Sequence, residues 1–347
     1  MQNESKGSSN AFIPLNTAKN EKEMVVYITS GYQKEIINNK KIVNHNFELG
    51  DKIGQGSFWS VRKVRRNLVS SNGSLLDNNY YVFKKGQLNK KTCAFDDDDL
   101  EGEWRIGLKE YNILKTICHP NISRLYECII DNKKDKIVFV MEYCDLGCLM
   151  KVEYNEEDDQ CYVYNKKVMD YLWTKFKNKD VPDKYSYSIE AQKEFLEQIT
   201  LDIIKQLTKS LMYLHNEKLV AHLDIKPDNI LIKTPNTGDD NYVKLSDFSI
   251  SKKFIDKNEM ISFFGGTPLY EPPERETETL TNPFLSDIFS FGKSMFSFLF
   301  CTIDFDNIEE MKKQINNCTL LNFFKHTMEE KPEKRFDINK VNDLIFK

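Results

Sequence analysis

VAHLDIKPDNILI, at residues 220–232, is the stretch that decides how this 347-residue chain is interpreted. It puts Asp224, Lys226 and Asn229 into one six-residue loop between a predicted helix and a β-like run. Phosphoryl transfer needs an acceptor for the hydroxyl proton, a metal ligand and a cation near the transferred phosphate. The carboxylate, the amide and the lysine of this loop could fill those roles in that order. A purely structural loop would have little use for such a set.

A second polar segment, VKLSDFS, follows at residues 243–249. Its carboxylate, Asp247, stands at the end of a β-like run, where it could hold Mg²⁺ against phosphate oxygens. Such an aspartate on its own is usually a turn residue. Its position shortly after the Asp224 loop is what favours the metal-binding interpretation.

Two weaker signals upstream point in the same direction. Gly54 and Gly56 lie in IGQGSFWSV at residues 53–61, and glycines between strands let backbone N–H groups approach phosphate oxygens closely. Lys84 ends the β-like run YYVFK. Each signal alone has a plain structural explanation, because strand–glycine–strand turns and solvated lysines at strand ends are common.

The hydrophobic pattern predicts a small antiparallel sheet with one helix in the first part of the chain. The predicted elements are a hairpin over 47–64, strands over 80–84, 125–130 and 136–141, and a helix over 104–117. The remainder is predicted to be mostly helical, with a long helix over 190–216 and a short β pair at 230–232 and 243–245. Residues 1–44 are rich in Asn, Lys, Ser and Glu and are predicted to form a flexible tail. Residues 152–190 break the periodicity and are interpreted as an insertion.

The composition argues against several function classes. Lys and Arg number 49 against 53 Asp and Glu, so no basic face for nucleic acid is evident. The eight cysteines are scattered without the paired spacing of a zinc site, which favours a reduced intracellular location, first the cytoplasm and second the nucleus. The first residues lack the pattern of a secretory signal. The most apolar stretch, 288–303, is short and carries Lys293, so a buried helix is predicted there rather than a membrane span.

In order and spacing, these motifs resemble the signature set of eukaryotic protein kinases of the Ser/Thr type. The resemblance covers roughly residues 47–347 apart from the inserted stretch. It implies an α+β, bilobal protein kinase fold, with a small antiparallel-sheet N-lobe that carries one main helix and a larger, mostly helical C-lobe. The kinase domain would span 45–347, with the N-lobe at about 45–143, the C-lobe at about 146–347 and the insertion at about 152–190.

The resemblance also implies a function, the transfer of the γ-phosphate of ATP to Ser or Thr residues of protein substrates with Mg²⁺ as cofactor. Asp224 corresponds to the catalytic base and Lys226 to the lysine that contacts the phosphate, while Asn229 and Asp247 correspond to the Mg²⁺ ligands. The residues assigned to ATP are Gly54 and Gly56 over the phosphates, Val61 against adenine, Lys84 on the α- and β-phosphates, Glu110 as its ion-pair partner, Met141 as gatekeeper, and the backbone of Glu142 and Cys144 as hinge.

Three later motifs have structural roles in the family. GTPLYEPPE at 266–274 resembles the end of the activation segment, and SDIFSFG at 286–292 resembles the start of the central helix of the C-lobe. KPEKR at 331–335 resembles the late arginine motif, in which Arg335 would pair with Glu274.

Three positions depart from the family pattern. Trp59 stands where the family has a third loop glycine, and its indole is expected to stiffen the loop or to pack over it. Leu223 replaces the arginine that pairs with a phosphorylated activation segment. This predicts activity that does not depend strictly on phosphorylation of that segment. Ser249 replaces a glycine, so an inactive flip of Asp247 is expected to be disfavoured.

Two other functions stay open at this point. The first is a pseudokinase, which uses the same fold as a scaffold or allosteric partner. Such proteins usually lose the equivalents of Lys84, Asp224 or Asp247, and all three are present here. The second is an unrelated metabolic phosphotransferase, against which the activation-segment motif argues. Lys226 and Thr267 favour Ser/Thr over Tyr as the acceptor.

A narrower likeness concerns the subfamily. CHPNISRLYECIIDNKKDKIVFVMEYC at 118–144, LSDFSISKKF at 245–254 and FFGGTPLYEPPE at 263–274 resemble the calcium/calmodulin-dependent kinase kinases, which phosphorylate and activate other kinases. The apolar residue before Asp224 is also similar to the Wee-type mitotic inhibitory kinases. Because the chain ends soon after Arg335, calmodulin is not expected as a partner.

Overall fold

The computed structural model describes residues 34–37, 40–43, 47–56, 58–66, 68–69, 75–77, 79–87, 106–131, 136–153, 161–176, 189–262, 265–277 and 280–347. The chain divides into two units. Unit 1 comprises Met1–Tyr111 and Arg124–Tyr143, and unit 2 comprises Asn112–Ser123 and Cys144–Lys347. Most of the strand residues belong to unit 1 and most of the helical residues to unit 2.

Unit 1 is built on an antiparallel sheet. Its strands are β1 (Lys34–Ile37), β2 (Lys40–Val43), β3 (Phe47–Gln55), β4 (Ser60–Arg66), β5 (Leu68–Val69), β6 (Leu75–Asp77), β7 (Tyr80–Gln87), β8 (Leu125–Asp131) and β9 (Lys136–Glu142). Seven of these strands form one sheet in the order β1-β2-β3-β4-β7-β9-β8, while β5 pairs with β6. Helix α1 spans Ile106–Leu114. The predicted hairpin and strands are therefore confirmed, and the predicted helix is shorter than expected because tight turns at Thr116 and Ile117 follow it.

Strands β1 and β2 lie within the range 1–44, for which the composition predicted a flexible tail. They form a hairpin that joins the sheet through the register pairs Ile42–Glu48 and Val43–Phe47. Each strand is only four residues long and mixes lysines with isoleucine and valine, so its signal is weak beside its polar surroundings. Residues 1–33 lie outside the described part of the chain.

The sheet of unit 1 has a strongly apolar face, and its opposite face carries candidate functional residues. The apolar cluster consists of Phe47, Val64, Phe83, Ile129, Val138 and Val140. Because successive side chains of a strand point to opposite faces, Lys84 and Phe139 lie on the face opposite Phe83 and Val140. Lys84 and Phe139 are also register partners. Strand alternation thus places the lysine beside an aromatic ring.

Unit 2 is mostly helical. Its helices are α2 (Lys166–Phe176), α3 (Ile189–Met212), α4 (Glu274–Thr277), α5 (Pro283–Phe300), α6 (Ile308–Lys312), α7 (Cys318–Thr327) and α8 (Ile338–Phe346). Its strands are β10 (Gly147–Cys148), β11 (Met150–Glu153), β12 (Cys161–Tyr164), β13 (Val220–Ala221), β14 (Ile230–Ile232), β15 (Val243–Leu245) and β16 (Lys252–Lys253). Strands β10, β14 and β15 form one small sheet, and β11–β12 and β13–β16 pair separately. The predicted long helix and the predicted β pair are confirmed.

Helix α5 is buried along almost its whole length. Pro283 stands in its first turn, and the Asn282 side chain caps it by accepting hydrogen bonds from the N–H groups of Phe284 and Leu285 at 3.0 and 3.1 Å. The helix ends at Cys301, whose φ is 50°. This is the apolar stretch for which a buried helix was predicted. Within the described residues, no helix is both long enough and apolar enough to cross a membrane.

The stretch 152–190, interpreted as an insertion, contains part of the β11–β12 hairpin and all of helix α2. Val168 and Leu172 of α2 are buried. Just before the helix, Asn165 Nδ2 donates to the carbonyls of Leu146 and Cys148 at 2.9 and 2.8 Å. Val168, Leu172 and Phe176 recur at a spacing of four, so the sequence does carry a helical period here, which the interpretation as an insertion passed over. Residues 154–160 and 177–188 lie outside the described part of the chain.

Candidate functional site

A buried ion pair joins strand β7 to helix α1 in unit 1. Lys84 Nζ lies 2.6 Å from Glu110 Oε1, and the two side chains are 10% and 1% exposed. Burying two charges costs free energy unless their geometry is good. So close a contact indicates that the fold positions both partners. The ion pair that the family resemblance implied is present, and its contact with nucleotide phosphates remains a prediction.

The glycine-rich turn connects β3 to β4. The Gly56 N–H closes it by donating to the Trp59 carbonyl at 2.8 Å. A Cβ added at Gly54 would lie 3.3 Å from Val61 Cβ, whereas one added at Gly56 would meet nothing closer than 3.8 Å. Val61 is the register partner of both Gly54 and Lys84. Strand pairing thus places the turn, the valine and the lysine side by side.

The predicted gatekeeper and hinge lie at the end of β9 and just after it. Met141 is 7% exposed. The Glu142 N–H donates to the Arg124 carbonyl at 2.8 Å, and the Arg124 N–H donates to Glu142 Oε2 at 3.3 Å. In unit 2, the Cys144 carbonyl accepts a hydrogen bond from the Gly147 N–H at 3.2 Å. The adenine contacts assigned to these residues remain predictions.

In unit 2, the predicted catalytic aspartate has three polar neighbours. Asp224 Oδ1 accepts a hydrogen bond from Thr267 Oγ1 at 2.7 Å. Asp224 Oδ2 lies 2.9 Å from Lys226 Nζ and accepts a hydrogen bond from Asn229 Nδ2 at 2.9 Å. Lys226 Nζ also donates to Thr267 Oγ1 at 2.8 Å. The structure therefore brings the three loop side chains together with a threonine 43 positions further along the chain.

Asp287 of helix α5 holds the backbone of this loop. Its fully buried carboxylate accepts hydrogen bonds from the N–H groups of His222 and Leu223, both at 2.7 Å. Its Oδ2 also lies 2.9 Å from His215 Nε2. The sequence analysis treated the surrounding motif only as the start of a helix, so this role was missed. The available signal was a carboxylate inside an otherwise apolar helix, because a buried charge needs partners.

His222 ties the Asp224 loop to the end of β15. Its Nε2 lies 3.0 Å from the Ser246 carbonyl, and its Nδ1 lies 3.3 Å from the Asp224 N–H. These partners assign a neutral ring that donates through Nε2 and accepts through Nδ1. Burial lowers the pKa of His222, which agrees with that form. The ring also packs against Phe248, with 4.8 Å between centroids.

Asp247 follows β15 with a φ of 64°, a left-handed conformation that aspartate adopts more readily than most residues. Its Oδ1 accepts a hydrogen bond from the Ser249 N–H at 3.3 Å. The preceding residue, Ser246, donates to the Asn229 carbonyl through its N–H at 2.9 Å and through Oγ at 3.1 Å. The segment that carries Asp247 is therefore anchored to the segment that carries Asn229.

The position just before Thr267 requires glycine. Gly266 has a φ of 116°, and a Cβ added there would lie 2.8 Å from Glu271 Oε1 and 3.1 Å from the Leu223 carbonyl oxygen. Only glycine combines this backbone conformation with so little space. The close approach of the two backbone segments lets Thr267 reach Asp224.

Leu223, which stands where the family has an arginine, is part of an apolar cluster. It is 6% exposed, and the cluster also contains Ala221, Phe254 and Phe284, with Ile250 and Ile261 packed against it. Phe254 and Ile261 lie between Asp247 and Thr267, within the predicted activation segment. Apolar packing therefore joins that segment to the catalytic loop at this position.

Arg335 and Glu274 form the ion pair that the late arginine motif predicted. Two hydrogen bonds of 2.7 and 2.8 Å join the guanidinium to the two carboxylate oxygens. Arg335 also donates to the backbone carbonyls of Leu285, Glu329 and Glu330. Bidentate pairs of this kind are among the strongest polar contacts in proteins. The prediction is confirmed, and the pair fixes the start of helix α4.

The oxygen donors of unit 2 fit a magnesium–nucleotide complex. Asn229 Nδ2 is used in hydrogen bonds to Asp224, so the amide oxygen is the atom that a cation could take. The carboxylate of Asp247 is a second oxygen donor, and Mg²⁺ is usually bound by one or two such groups together with substrate phosphates. Among the described residues, no group of three or more His, Cys, Asp or Glu side chains could hold a metal by itself.

Comparisons with known proteins agree with these features. The sequence profile of the family described as "Protein kinase domain" matches residues 160–346, which is more than half of the chain. A calcium/calmodulin-dependent protein kinase kinase of Caenorhabditis elegans is 28% identical over 290 residues, which are 79% of this chain and 45% of that protein. The serine/threonine-protein kinase Nek2 of Mus musculus is 27% identical over 251 residues, 71% of this chain and 44% of that protein. The serine/threonine-protein kinase GRIK1 of Arabidopsis thaliana is 29% identical over 229 residues, which are 64% of this chain and 43% of that protein.

This chain spans less than half the length of those curated relatives. The predicted α+β, bilobal fold is confirmed, since the structure has an antiparallel sheet with one helix and a larger, mostly helical part. Because the family profile matches more than half of its residues, the chain belongs to the protein kinase family.

Proposed function

We propose that this chain catalyses the ATP-dependent phosphorylation of Ser and Thr residues in protein substrates. The observation that carries the proposal is the arrangement of Asp224, Lys226, Asn229 and Thr267 in unit 2. It combines a carboxylate oxygen that accepts a hydrogen bond from a hydroxyl, an ammonium group within 3 Å of it, and an amide whose oxygen can hold a cation. The names of the relatives above support the same activity.

Asp224 would orient the acceptor hydroxyl and take its proton. Its Oδ1 accepts a hydrogen bond from the Thr267 hydroxyl, a contact that supports this role. Lys226 Nζ would balance negative charge on the transferred phosphate. Asp287 and His222 would keep the loop in place through its backbone N–H groups. Positioning and electrostatics would then supply most of the rate.

Asn229 and Asp247 would hold Mg²⁺. When bound, this ion neutralises the charge that develops on the phosphate oxygens. Lys84, paired with Glu110, would hold the α- and β-phosphates. The remaining proposed ATP contacts are the backbone of Gly54 and Gly56 at the phosphates, and Val61, Met141, Glu142 and Cys144 around adenine.

The proposed kinase domain spans residues 45–347, and the β1–β2 hairpin that precedes this range joins its sheet. The finer proposal concerns substrates. Because the relative from Caenorhabditis elegans is by name a kinase kinase, we propose that other protein kinases are among the substrates of this chain. Incubation with a mixture of catalytically inactive kinases of several families and of proteins that are not kinases would test this, and phosphate found only on the proteins that are not kinases would contradict it. Calmodulin forms no part of the proposal.

The general proposal is tested with purified protein, labelled ATP, Mg²⁺ and three randomised peptide libraries whose sole acceptor is Ser, Thr or Tyr. We expect incorporation into the Ser and Thr libraries and none above background into the Tyr library. Signal from Tyr alone would overturn the Ser/Thr assignment. Signal no higher than that of Asp224→Asn in all three libraries, together with ATP binding in a thermal-shift assay, would favour the pseudokinase.

A further inference from the structure

Trp59 is a large aromatic residue at the end of the glycine-rich turn, and it is only 5% exposed. Its ring lies 5.0 Å from that of Phe139 and 4.7 Å from that of Phe58, measured between centroids. Phe139 is the register partner of Lys84. The indole is therefore buried on the face of the sheet that carries the lysine.

The indole also contacts the functional ammonium itself. Lys84 Nζ lies 4.8 Å from the centroid of the Trp59 ring, within the range of a cation–π interaction. The same Nζ lies 2.6 Å from Glu110 Oε1. Tryptophan is the strongest partner for such contacts, and the interaction gains strength when the cation is shielded from water. The ammonium group thus has a ring and a carboxylate as fixed neighbours.

One glycine makes room for the ring, and a second glycine lies in ordinary contact with it. A Cβ added at Gly86 would lie 2.9 Å from Trp59 Cε3 and Cζ3, and one added at Gly107 would lie 3.5 Å from Trp59 Cη2. Gly86 belongs to the same strand as Lys84, and Gly107 lies on helix α1, three residues before Glu110. The indole therefore extends from the turn to the helix that supplies the partner of the lysine.

The indole nitrogen argues against a role in packing alone. Trp59 Nε1 is buried and makes no hydrogen bond to any described residue. A buried donor without a partner costs free energy. Leucine would fill apolar space here without that cost, so the π face of the ring must offer something that leucine does not.

We propose that Trp59 is a positioning residue, which holds the Lys84 ammonium between its ring and Glu110 and keeps helix α1 against the glycine-rich turn. The consequence for ATP rests on the proposed function, since it requires Lys84 to contact the phosphates. Because removal of the ring leaves the ammonium group present but less firmly held, it should weaken ATP binding more than it slows the transfer step.

The kinetic test compares Trp59→Leu with Trp59→Phe, which keeps a π face. We expect Trp59→Leu to raise KM for ATP about tenfold, a loss between that of an exposed cation–π contact and that of one shielded from water, with a smaller change in kcat. Trp59→Phe should recover most of that loss. Trp173→Leu is the matched control, because Trp173 packs against Phe195 in unit 2 at 4.9 Å between centroids. The proposal is overturned if Trp59→Leu keeps the wild-type KM, or if Leu and Phe have equal effects.

A second measurement does not depend on turnover. The chain has three tryptophans, so ¹⁵N-labelled protein gives three indole N–H signals, and Trp59→Phe identifies the one from Trp59. Lys84→Met should shift this signal, whereas Lys85→Met, on the opposite face of β7, should leave it in place. Equal shifts, or none, would overturn the proposal. If the expected shift occurs in a protein that transfers no phosphate, the proposed function fails while the positioning of Lys84 by Trp59 stands.

Discussion

Two buried ion pairs among the described residues are built differently. Arg335 and Glu274 in unit 2 share two hydrogen bonds, and Arg335 also reaches three backbone carbonyls. Lys84 and Glu110 in unit 1 share one short contact, with the Trp59 ring beside the ammonium. A planar guanidinium whose donors all meet fixed acceptors has one geometry, whereas an ammonium on a flexible stem can redirect its donors. The first pair is suited to stabilising the fold, and the second to meeting a ligand.

The loop of unit 2 that carries Asp224 is fixed by several hydrogen bonds, as the Arg335–Glu274 pair is and the Lys84–Glu110 pair is not. Its backbone is held at His222 and Leu223 by the buried carboxylate of Asp287. Fixed dipoles and hydrogen bonds of this kind preorganise a site before substrate arrives. The contrast predicts that changes at Arg335 act on stability, while changes at Lys84 act on turnover.

The largest expected effect is that of Arg335→Met on stability. The change leaves the Glu274 carboxylate buried without its partner, and breaking a buried pair typically lowers the free energy of unfolding by about 3–5 kcal/mol. Urea denaturation measures this loss. The double variant Arg335→Met/Glu274→Met is the control and should regain part of the stability, because no lone charge is left. A loss below ~1 kcal/mol for the single variant would contradict the structural role.

Lys84→Met should act mainly on turnover. Removing one preorganised charge from a transferring phosphate costs about 10²–10³-fold in kcat, which corresponds to about 3–4 kcal/mol of transition-state stabilisation. Its effect on the free energy of unfolding should be smaller than that of Arg335→Met, because Arg335 loses five hydrogen bonds, two to Glu274 and three to backbone carbonyls. Steady-state phosphorylation assays and urea denaturation on the same preparation measure both quantities. Turnover within a factor of three of wild type would remove Lys84 from the proposed site.

His119 differs from the two ion pairs, because the charged groups that act on it are lysines and not a carboxylate. Burial, followed by Lys209 and Lys244, lowers the pKa of His119 from 6.5 to about 4. Its Nδ1 accepts the Asn121 N–H at 3.1 Å, which also favours the neutral ring. Between these two pKa values the unfolded chain binds the proton and the folded chain does not, so the free energy of unfolding falls as the pH drops from about 6.5 to about 4.

His119→Gln should reduce that pH dependence. Since the ring is partly exposed, we expect the difference in free energy of unfolding between pH 7 and pH 4.5 to shrink by about 1 kcal/mol relative to wild type. Urea denaturation at a series of pH values measures the slope, and the comparison with wild type cancels the contribution of the carboxylates. An unchanged slope would show that His119 titrates normally in the folded protein.

Removing phosphate from the activation segment is expected to have no effect on turnover, the smallest effect of the series. Because Leu223 joins that segment to the catalytic loop by apolar packing, dephosphorylated protein should retain its turnover. A phosphatase-treated sample, with removal of phosphate checked by mass spectrometry, is compared with a mock-treated one. Loss of activity on treatment, restored by rephosphorylation at a residue between Asp247 and Thr267, would contradict this prediction.

The sequence motifs predicted those contacts that follow from the order of the motifs in the family. The resemblance to the kinase motifs was enough to expect the Lys84–Glu110 and Arg335–Glu274 ion pairs, the residue types of the Asp224 loop were enough to expect a polar site, and alternation of apolar residues was enough to expect the sheet. Contacts between distant segments carry no such periodic signal. The hydrogen bonds from His222 and Leu223 to Asp287 join positions 65 and 64 residues apart, and nothing in either segment alone announces them.

Two other features were missed for different reasons. The position of the Trp59 ring depends on space left by Gly86, which lies 27 residues further along the chain, and a single sequence does not reveal such volume complementarity. Helix α2 does carry a helical period, since Val168, Leu172 and Phe176 recur at a spacing of four, but its mixed aromatic and charged residues were interpreted as part of an insertion.

The most direct test of the central claim is Mg²⁺-dependent transfer from labelled ATP by wild type, Asp224→Asn and Asp228→Asn at equal concentration. Asp228 lies in the same loop, in the short turn Pro227–Asn229, so its variant controls for a general loss of loop structure. The proposed mechanism predicts that Asp224→Asn loses at least about 10²-fold in turnover, the contribution of a general base, while Asp228→Asn stays near wild type. Equal Mg²⁺-dependent transfer by wild type and Asp224→Asn would contradict it.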